Sequence, residues 1–256
     1  MLTPKSVIRG AIERAGYRLT RRSVLPFGVD PVWDIQRMAA RRGEEVRCVL
    51  DIGAHAGETA RAYLAAFPQA TVHAFEPHPN SFACVAQLAS ERLHAHRLAA
   101  SNRCGEAAFF VFSELSDDPD APIPASMNNS LVAETQFGLV AGRNPTSITV
   151  ECVTVDRFCA DQGLARLDLL KIDTEGHERE VLEGAADTLA RRGVKFVFLE
   201  FETLGLVQGA SGGALGPCAD LLEPLGFRLV ATYPNYMIDR PLYASLNALF
   251  VAPAGS

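Results

Sequence analysis

The sequence predicts an open α/β sheet, doubly wound and mostly parallel, preceded by a helical arm. Three observations point there. Short, mostly apolar runs such as "VRCVLDI" and "LDLLKID" have the pattern of strands buried on both faces. Amphipathic helical stretches alternate with such runs from residue 46 onward. The 256 residues, 48% of them hydrophobic, suffice for one sizeable core with a small appendage.

The elements follow in order. Residues 4–16 and 31–42 read as two short helices around the Pro- and Gly-rich turn "VLPFGVDP". They make an arm, residues 1–45, ahead of a domain spanning 46–256. "VRCVLDI" is a strand, "GETARAYLAAF" a helix, "TVHAFEP" a strand, "NSFACVAQLAS" a helix and "LHAHRLAAS" a third strand. The alternation then breaks. "GEAAFFVFSE" reads as a hairpin arm, and the loop "LSDDPDAPIPASMNNSLV" has a length usual for functional segments. "SITVECVTVDRFC" is a strand running into a helix, "LDLLKID" a buried strand, and "EREVLEGAADTLARR" one amphipathic helix. "VKFVFLEFE", "FRLVATY" and "LNALFVAP" are the remaining strands, with a short helix at "CADLLEPLG".

Charge narrows the partners. The chain carries a net −6, spread unevenly. Residues 1–47 hold ten Lys/Arg against five Asp/Glu, a net of +5, which leaves −11 for residues 48–256. An acidic body argues against nucleic acid. The basic arm reads as a solvated helical face or as a contact for an acidic surface, a phosphate-bearing substrate or a second copy in a homo-oligomer. No apolar run reaches membrane-spanning length, and the N-terminus lacks a secretory pattern, so a cytoplasmic location is expected. Six scattered cysteines form no C-x-x-C pair and no zinc spacing, as buried thiols in a reducing compartment would.

The stretch "VLDIGAHAGETA" carries the functional argument. In such a sheet, ligands bind beyond the carboxyl ends of the strands, beside the first of them. Asp51, Gly53 and Gly57 fall there, with Ala54, His55 and Thr59 around the same bend. Gly53 permits a tight turn, and Gly57 lets the helix start close to a ligand. The backbone N–H groups of that helix end can receive an electronegative group. The dinucleotide fingerprint G-x-G-x-x-G is missing, and His55 stands at its middle glycine. Asp51 and Glu58 would repel a pyrophosphate. S-adenosylmethionine brings a carboxylate for the N–H groups and cationic centres for the acid, so charge favours it. Glu76 ends the second strand 19 residues after Gly57, followed by Pro77, where an acid accepts hydrogen bonds from ribose hydroxyls.

These residues carry a resemblance. "VLDIGAHAGETA", "AFEPHPNSFA", "NNSLV", "DLLKIDTEGHEREVLEGA", "FVFLEFE" and "NALFV" together resemble the FkbM family of S-adenosylmethionine-dependent methyltransferases, in order from residue 46 to 252. The family commonly has Asn where His55 stands. The resemblance implies a class I methyltransferase fold: a Rossmann-like sheet of seven strands, the last antiparallel, with the cofactor over the first two. It implies O-methylation of a hydroxyl on a sugar-containing, glycan, lipid or secondary-metabolite acceptor. Carried over, Asp51, Gly53 and Gly57 hold the methionine end and Glu76 the ribose, Ala99 and Ser101 lie near the adenine, and Asn129 and Ser130 contact cofactor or acceptor.

Methyl transfer to an alcohol needs alignment and a base, or a metal that acidifies the hydroxyl. "KIDTEGHERE" is the richest cluster for that. Asp173 ends a central strand and is a site candidate, with Glu200 at the end of the next strand. His177 is open between general base and structural hydrogen-bonding residue. Glu175 and Glu178 suit a helix N-terminus electrostatically. Asp173 and Glu200 lack a third ligand, so no metal is assigned. Tyr233, Tyr236 and Tyr243 are open between acceptor wall and packing. His73, His94 and His96 read as core or face positions on strands, and His78 as lining the cofactor mouth. A nucleotide-dependent oxidoreductase and a non-catalytic binding module are the alternatives.

Overall fold

The computed structural model describes residues 12–16, 20–112, 129–133, 145–191, 193–202, 214–237 and 244–253. The run "CVLDI" is β1 (Cys48–Ile52). It shows no alternation because both of its faces are covered, and it lies between β2 (Thr71–Phe75) and β7 (Leu167–Ile172), both parallel. β3 (Leu93–His96) extends the sheet beyond β2, and β8 (Val194–Glu202) beyond β7, again parallel. The terminal strand β10 (Ala244–Val251) runs antiparallel to β8 and to β9 (Arg228–Met237). The order is β3-β2-β1-β7-β8-β10-β9, the expected seven-stranded sheet with an antiparallel last strand.

Side chains alternate between two apolar layers, as strand geometry requires. Leu50, Ile52, Leu170 and Ile172 face one layer, covered by α4 (Val155–Asp161), α5 (Glu178–Glu183), α6 (Ala186–Ala190) and α7 (Leu215–Leu222). Val49, Val72 and Leu169 face the other, covered by α1 (Pro31–Arg41), α2 (Glu58–Ala66) and α3 (Pro79–Gln87). The central strands between the layers are buried, whereas the edge strands β3 and β9 keep exposed residues such as His94 and Leu229.

The arm docks on this second layer. Asp30 caps α1 by accepting from the Trp33 N–H, and Ile35 and Ala39 enter the core. Asp34, wholly buried, accepts from the Gly28 N–H and the Tyr233 hydroxyl and pairs with Arg37 at 2.5 Å. That bond takes Tyr233 away from any acceptor wall; Tyr243 lies outside the described residues. Arg22, Arg37 and Arg47 find acids within the arm or beside it, at Asp30, Asp34 and Glu45.

Two segments depart from the sequence reading. "LHAHRLAAS" is two strands: after β3 the chain leaves the sheet, and β4 (Ala99–Ala100) joins a second, three-stranded sheet of order β4-β6-β5. The hairpin arm is β5 (Gly105–Val111), antiparallel to β6 (Thr146–Val153). The helix read over 178–192 breaks at Gly184–Ala185. The Asp156 N–H takes the Gly184 carbonyl, while the Asp156 carboxylate collects the N–H groups of Asp187 and Thr188 and so caps a fresh helix, α6.

His73 is buried on β2, as read, within 3.2 Å of His96 and stacked on His94, with Phe158 edge-on. Burial, then His96 and His94, pushes its pKa down to about 4. Unfolded histidine takes its proton near pH 6.5, so between those values the unfolded chain binds more protons and stability falls as pH falls. A urea titration series from pH 7 to 4 is expected to show that slope, at most about 1.4 kcal/mol per pH unit from this group. His73→Phe should remove it. An identical slope in the variant would dismiss His73 as its source.

Candidate active site

The carboxyl ends of β1, β2, β7 and β8 meet at one edge, and the expected residues gather there. The bend after β1 is closely built. Gly53 has φ +78°, and a Cβ on it would lie 1.8 Å from the Asp173 carbonyl oxygen. Gly57 has φ +89°, and its Cβ would meet Leu88 at 2.6 Å. The space at Gly57 admits Leu88, just after α3. The Gly53 and Ala54 N–H groups are not free either: both donate to the Phe75 carbonyl, at 3.1 and 2.9 Å. The N–H groups that face forward belong to the first turn of α2 (Glu58, Thr59, Ala60), whose N-cap Gly57 offers no side-chain bond. Thr59 is half-buried in that turn.

Glu76 sits at the end of β2, 6% exposed, between buried Pro77 and the bend. Its two oxygens accept from the His55 and His78 N–H groups, each at 2.9 Å. Burial outweighs those bonds and pushes its pKa up to about 7. His55 takes a left-handed φ of 48°, which this bond helps to hold. His78 is buried rather than lining an opening.

Asp51 is wholly buried, its side chain ion-paired with Lys171 at 3.1 Å. Burial still raises its pKa, against the pull of Lys171. Lys171 also donates to the Gly53 carbonyl at 2.7 Å and pairs with Asp173 at 3.3 Å. Burial works against its charge, but Asp173 and Asp51 outweigh it and hold the ammonium above its ordinary range. The sequence reading overlooked Lys171. The signal was a lysine inside an otherwise apolar strand, which must be paired to be tolerated.

Asp173 is the partly open member, its side chain 32% exposed. Burial would raise its pKa, yet Lys171 outweighs that and holds it below the usual range. Glu200, 7% exposed, goes the other way: burial first, then Asp173 and Glu175, push it well up. The pair shares a hydrogen bond, and the opposed shifts favour the proton on Glu200 and the charge on Asp173. Ser245 donates to Glu200 from β10, a partner the sequence reading missed. Glu175, in a left-handed turn at φ 54°, brings a third carboxylate within 4.8 Å of these two. The third carboxylate missing from the sequence reading is therefore present in space.

His177 and Ser101 meet. The Ser101 hydroxyl and His177 Nε2 are 3.0 Å apart, and His177 Nδ1 lies 3.6 Å from Glu180. Burial holds the imidazole in its neutral form. Ala99 and Ser101 are both buried at the end of β4. Glu178 is structural: it is 1% exposed and its carboxylate gathers the N–H groups of Thr174 and Gly176. Ser130 ties the incoming loop to the same turn, 2.9 Å from the Thr174 and Glu175 carbonyls. Asn129 accepts from the Phe112 N–H, while its buried amide nitrogen has no partner among the described residues. Asn128 lies outside them.

The family model of the methyltransferase FkbM domain matches residues 51–229, a span that includes the glycine bend, Glu76 and Asp173. The chain belongs to the FkbM methyltransferase family. It is 32% identical to the 31-O-demethyl-FK506 methyltransferase FkbM of Streptomyces tacrolimicus, over 76% of this chain and 79% of that one. The 2-O-methyltransferase NoeI of Sinorhizobium fredii is 29% identical, over 73% and 74%. The hexuronic acid methyltransferase AglP of Haloferax volcanii is 26% identical, over 65% and 61%. The chain is a methyltransferase, and S-adenosylmethionine is its cofactor. Among the described residues, no helix is long and apolar enough to cross a membrane.

Proposed function

We propose that this FkbM-family enzyme methylates a hydroxyl oxygen of a sugar-containing or secondary-metabolite acceptor, with Asp173 receiving the hydroxyl proton. One observation carries the reading: Asp173, its side chain 32% exposed and 3.3 Å from the Lys171 ammonium, stands at the strand edge beside the glycine bend, while Glu200 next to it is buried. The relatives support the acceptor class, since their names specify O-methylation and a hexuronic acid. The acidic body makes nucleic acid a poor acceptor. The six free thiols fit a reducing, cytoplasmic setting.

The residues suit the cofactor. The uncapped first turn of α2, including Thr59, can take a carboxylate, and Glu76 retains acceptor capacity for ribose hydroxyls. When bound, S-adenosylmethionine supplies a methyl group activated by a sulfonium. Asp173 presents negative charge towards that side of the cleft. A low basicity suffices, because an oxygen that has gained a methyl group holds its proton very weakly. Glu200 steadies Asp173 by donating to it. His177, engaged with Ser101 on one ring nitrogen and beside Glu180 on the other, orients the turn and leaves the base role to Asp173.

The test is transfer of isotopically labelled methyl to hexuronic acids, neutral hexoses and 31-O-demethyl-FK506, with S-adenosylhomocysteine formation read in parallel. Product from at least one hydroxyl acceptor supports the reading; cofactor binding without any turnover across the panel counts against it. Glu76 gives a second expectation. If ribose hydroxyls donate to its carboxylate, affinity for S-adenosylhomocysteine should hold above pH 7 and fall below it, approaching about tenfold per pH unit. Calorimetry between pH 5.5 and 8.5 reads this directly. Glu76→Gln should bind weakly with a flat profile; a variant that keeps the wild-type profile would refute the ribose role.

A further inference from the structure

Lys171 is 3% exposed near the carboxyl end of β7, among buried apolar neighbours, where a charged group must be paired. Its ammonium touches four groups: the Gly53 carbonyl at 2.7 Å, the Ile52 carbonyl at 3.3 Å, Asp51 at 3.1 Å and Asp173 at 3.3 Å. The first three belong to the end of β1 and the bend. The fourth is the acid assigned to the proton. The β1–β7 ladder pairs Asp51 with Lys171 and stops at Ile52 and Ile172. Beyond it, the Gly53 N–H is turned towards β2, to the Phe75 carbonyl. The Gly53 carbonyl would then face buried space without a ladder partner, at a cost of about 1–3 kcal/mol for an unmatched group. The lysine supplies that partner. The bend is thus slung between β2, through its N–H groups, and β7, through the Lys171 ammonium.

We propose that Lys171 is a positioning residue that locks the cofactor-binding bend and Asp173 into one arrangement, so that cofactor affinity and methyl transfer depend on the same buried ammonium. The part concerning transfer rests on the reading of Asp173 given above. Asp51 belongs to the same device: it neutralises the ammonium from below and leaves the surplus negative charge on Asp173, the member that faces the cleft.

The experiment is calorimetric titration of S-adenosylhomocysteine into the full chain, wild type beside Lys171→Gln, Asp51→Asn, the double variant and Asp173→Asn, with a melting scan of each. Lys171→Gln is expected to weaken S-adenosylhomocysteine about tenfold or more, the loss of a charged hydrogen bond. The double variant should bind no more weakly than Lys171→Gln, within about twofold, because the two residues act as a unit. Asp173→Asn should leave this affinity within about threefold. With whichever panel acceptor is methylated, Lys171→Gln should also lower kcat at saturating cofactor, whereas Asp173→Asn should lower kcat with cofactor affinity nearly unchanged. A lower melting temperature with unchanged affinity would reduce Lys171 to a packing role and overturn the proposal, as would additive losses in the double variant. If Lys171→Gln does not fold, Asp51→Asn decides: it should weaken binding several-fold, and unchanged affinity overturns the proposal. If no acceptor is methylated, the reading of Asp173 fails, and the binding series still decides Lys171.

Discussion

Asp173→Asn should lower kcat by about 10²–10⁴, the range for loss of a positioned proton acceptor, while S-adenosylhomocysteine binds almost as before. The asparagine keeps the size of the side chain and removes the charge that Lys171 and Glu200 are arranged to hold there. Glu200→Gln is the matched control. Its amide can still donate to Asp173 and accept from Ser245, so its loss should be much the smaller of the two. Initial rates at saturating cofactor, with the acceptor found in the panel, provide the measurement. Equal losses in both variants would mean that the pair acts as one group and would remove the assignment of the base to Asp173.

Gly53→Ala should be the most damaging single methyl in the protein's cofactor edge. Two costs coincide: a left-handed backbone, and a Cβ placed 1.8 Å from a carbonyl oxygen. That oxygen is backbone at the end of β7, so relief requires β1 and β7 to separate where Lys171 and the Asp173 N–H join them. Overpacking of this kind with added strain costs about 3 kcal/mol or more, which lowers the melting temperature by about 10 °C in a chain of this size. Gly57→Ala is the comparison. It shares the left-handed φ, but its clash is with the tip of the Leu88 side chain, which can rotate. Calorimetric melting should therefore rank Gly53→Ala well below Gly57→Ala. The reverse order would show that the strands yield more readily than the distances imply.

The main sheet was legible because mostly apolar strands and amphipathic helices have different periods, and both are long enough here to read. The second sheet was not. β4 is two residues long and follows β3 after only Arg97 and Leu98, too short a run to show where the chain changes sheets. The break between α5 and α6 was hidden for a related reason: Asp156, which causes it, lies about 30 residues away in sequence. At the site, Asp51, Gly53, Glu76 and Asp173 were visible as types at strand ends. What each of them touches was not. Asp51 reads as a ligand-facing acid until its register partner proves to be a lysine. Glu175 and Glu200 come together only through the left-handed turn that follows β7.

The bend after β1 already has its internal bonds: Gly53 and Ala54 to Phe75, His55 to Glu76, and the Gly53 carbonyl to Lys171. Its conformational entropy is therefore lost during folding and not at the moment of encounter. Binding energy from the adenosyl moiety is left for holding the sulfonium in line with the incoming oxygen rather than for shaping a loop, which is the condition under which affinity becomes rate.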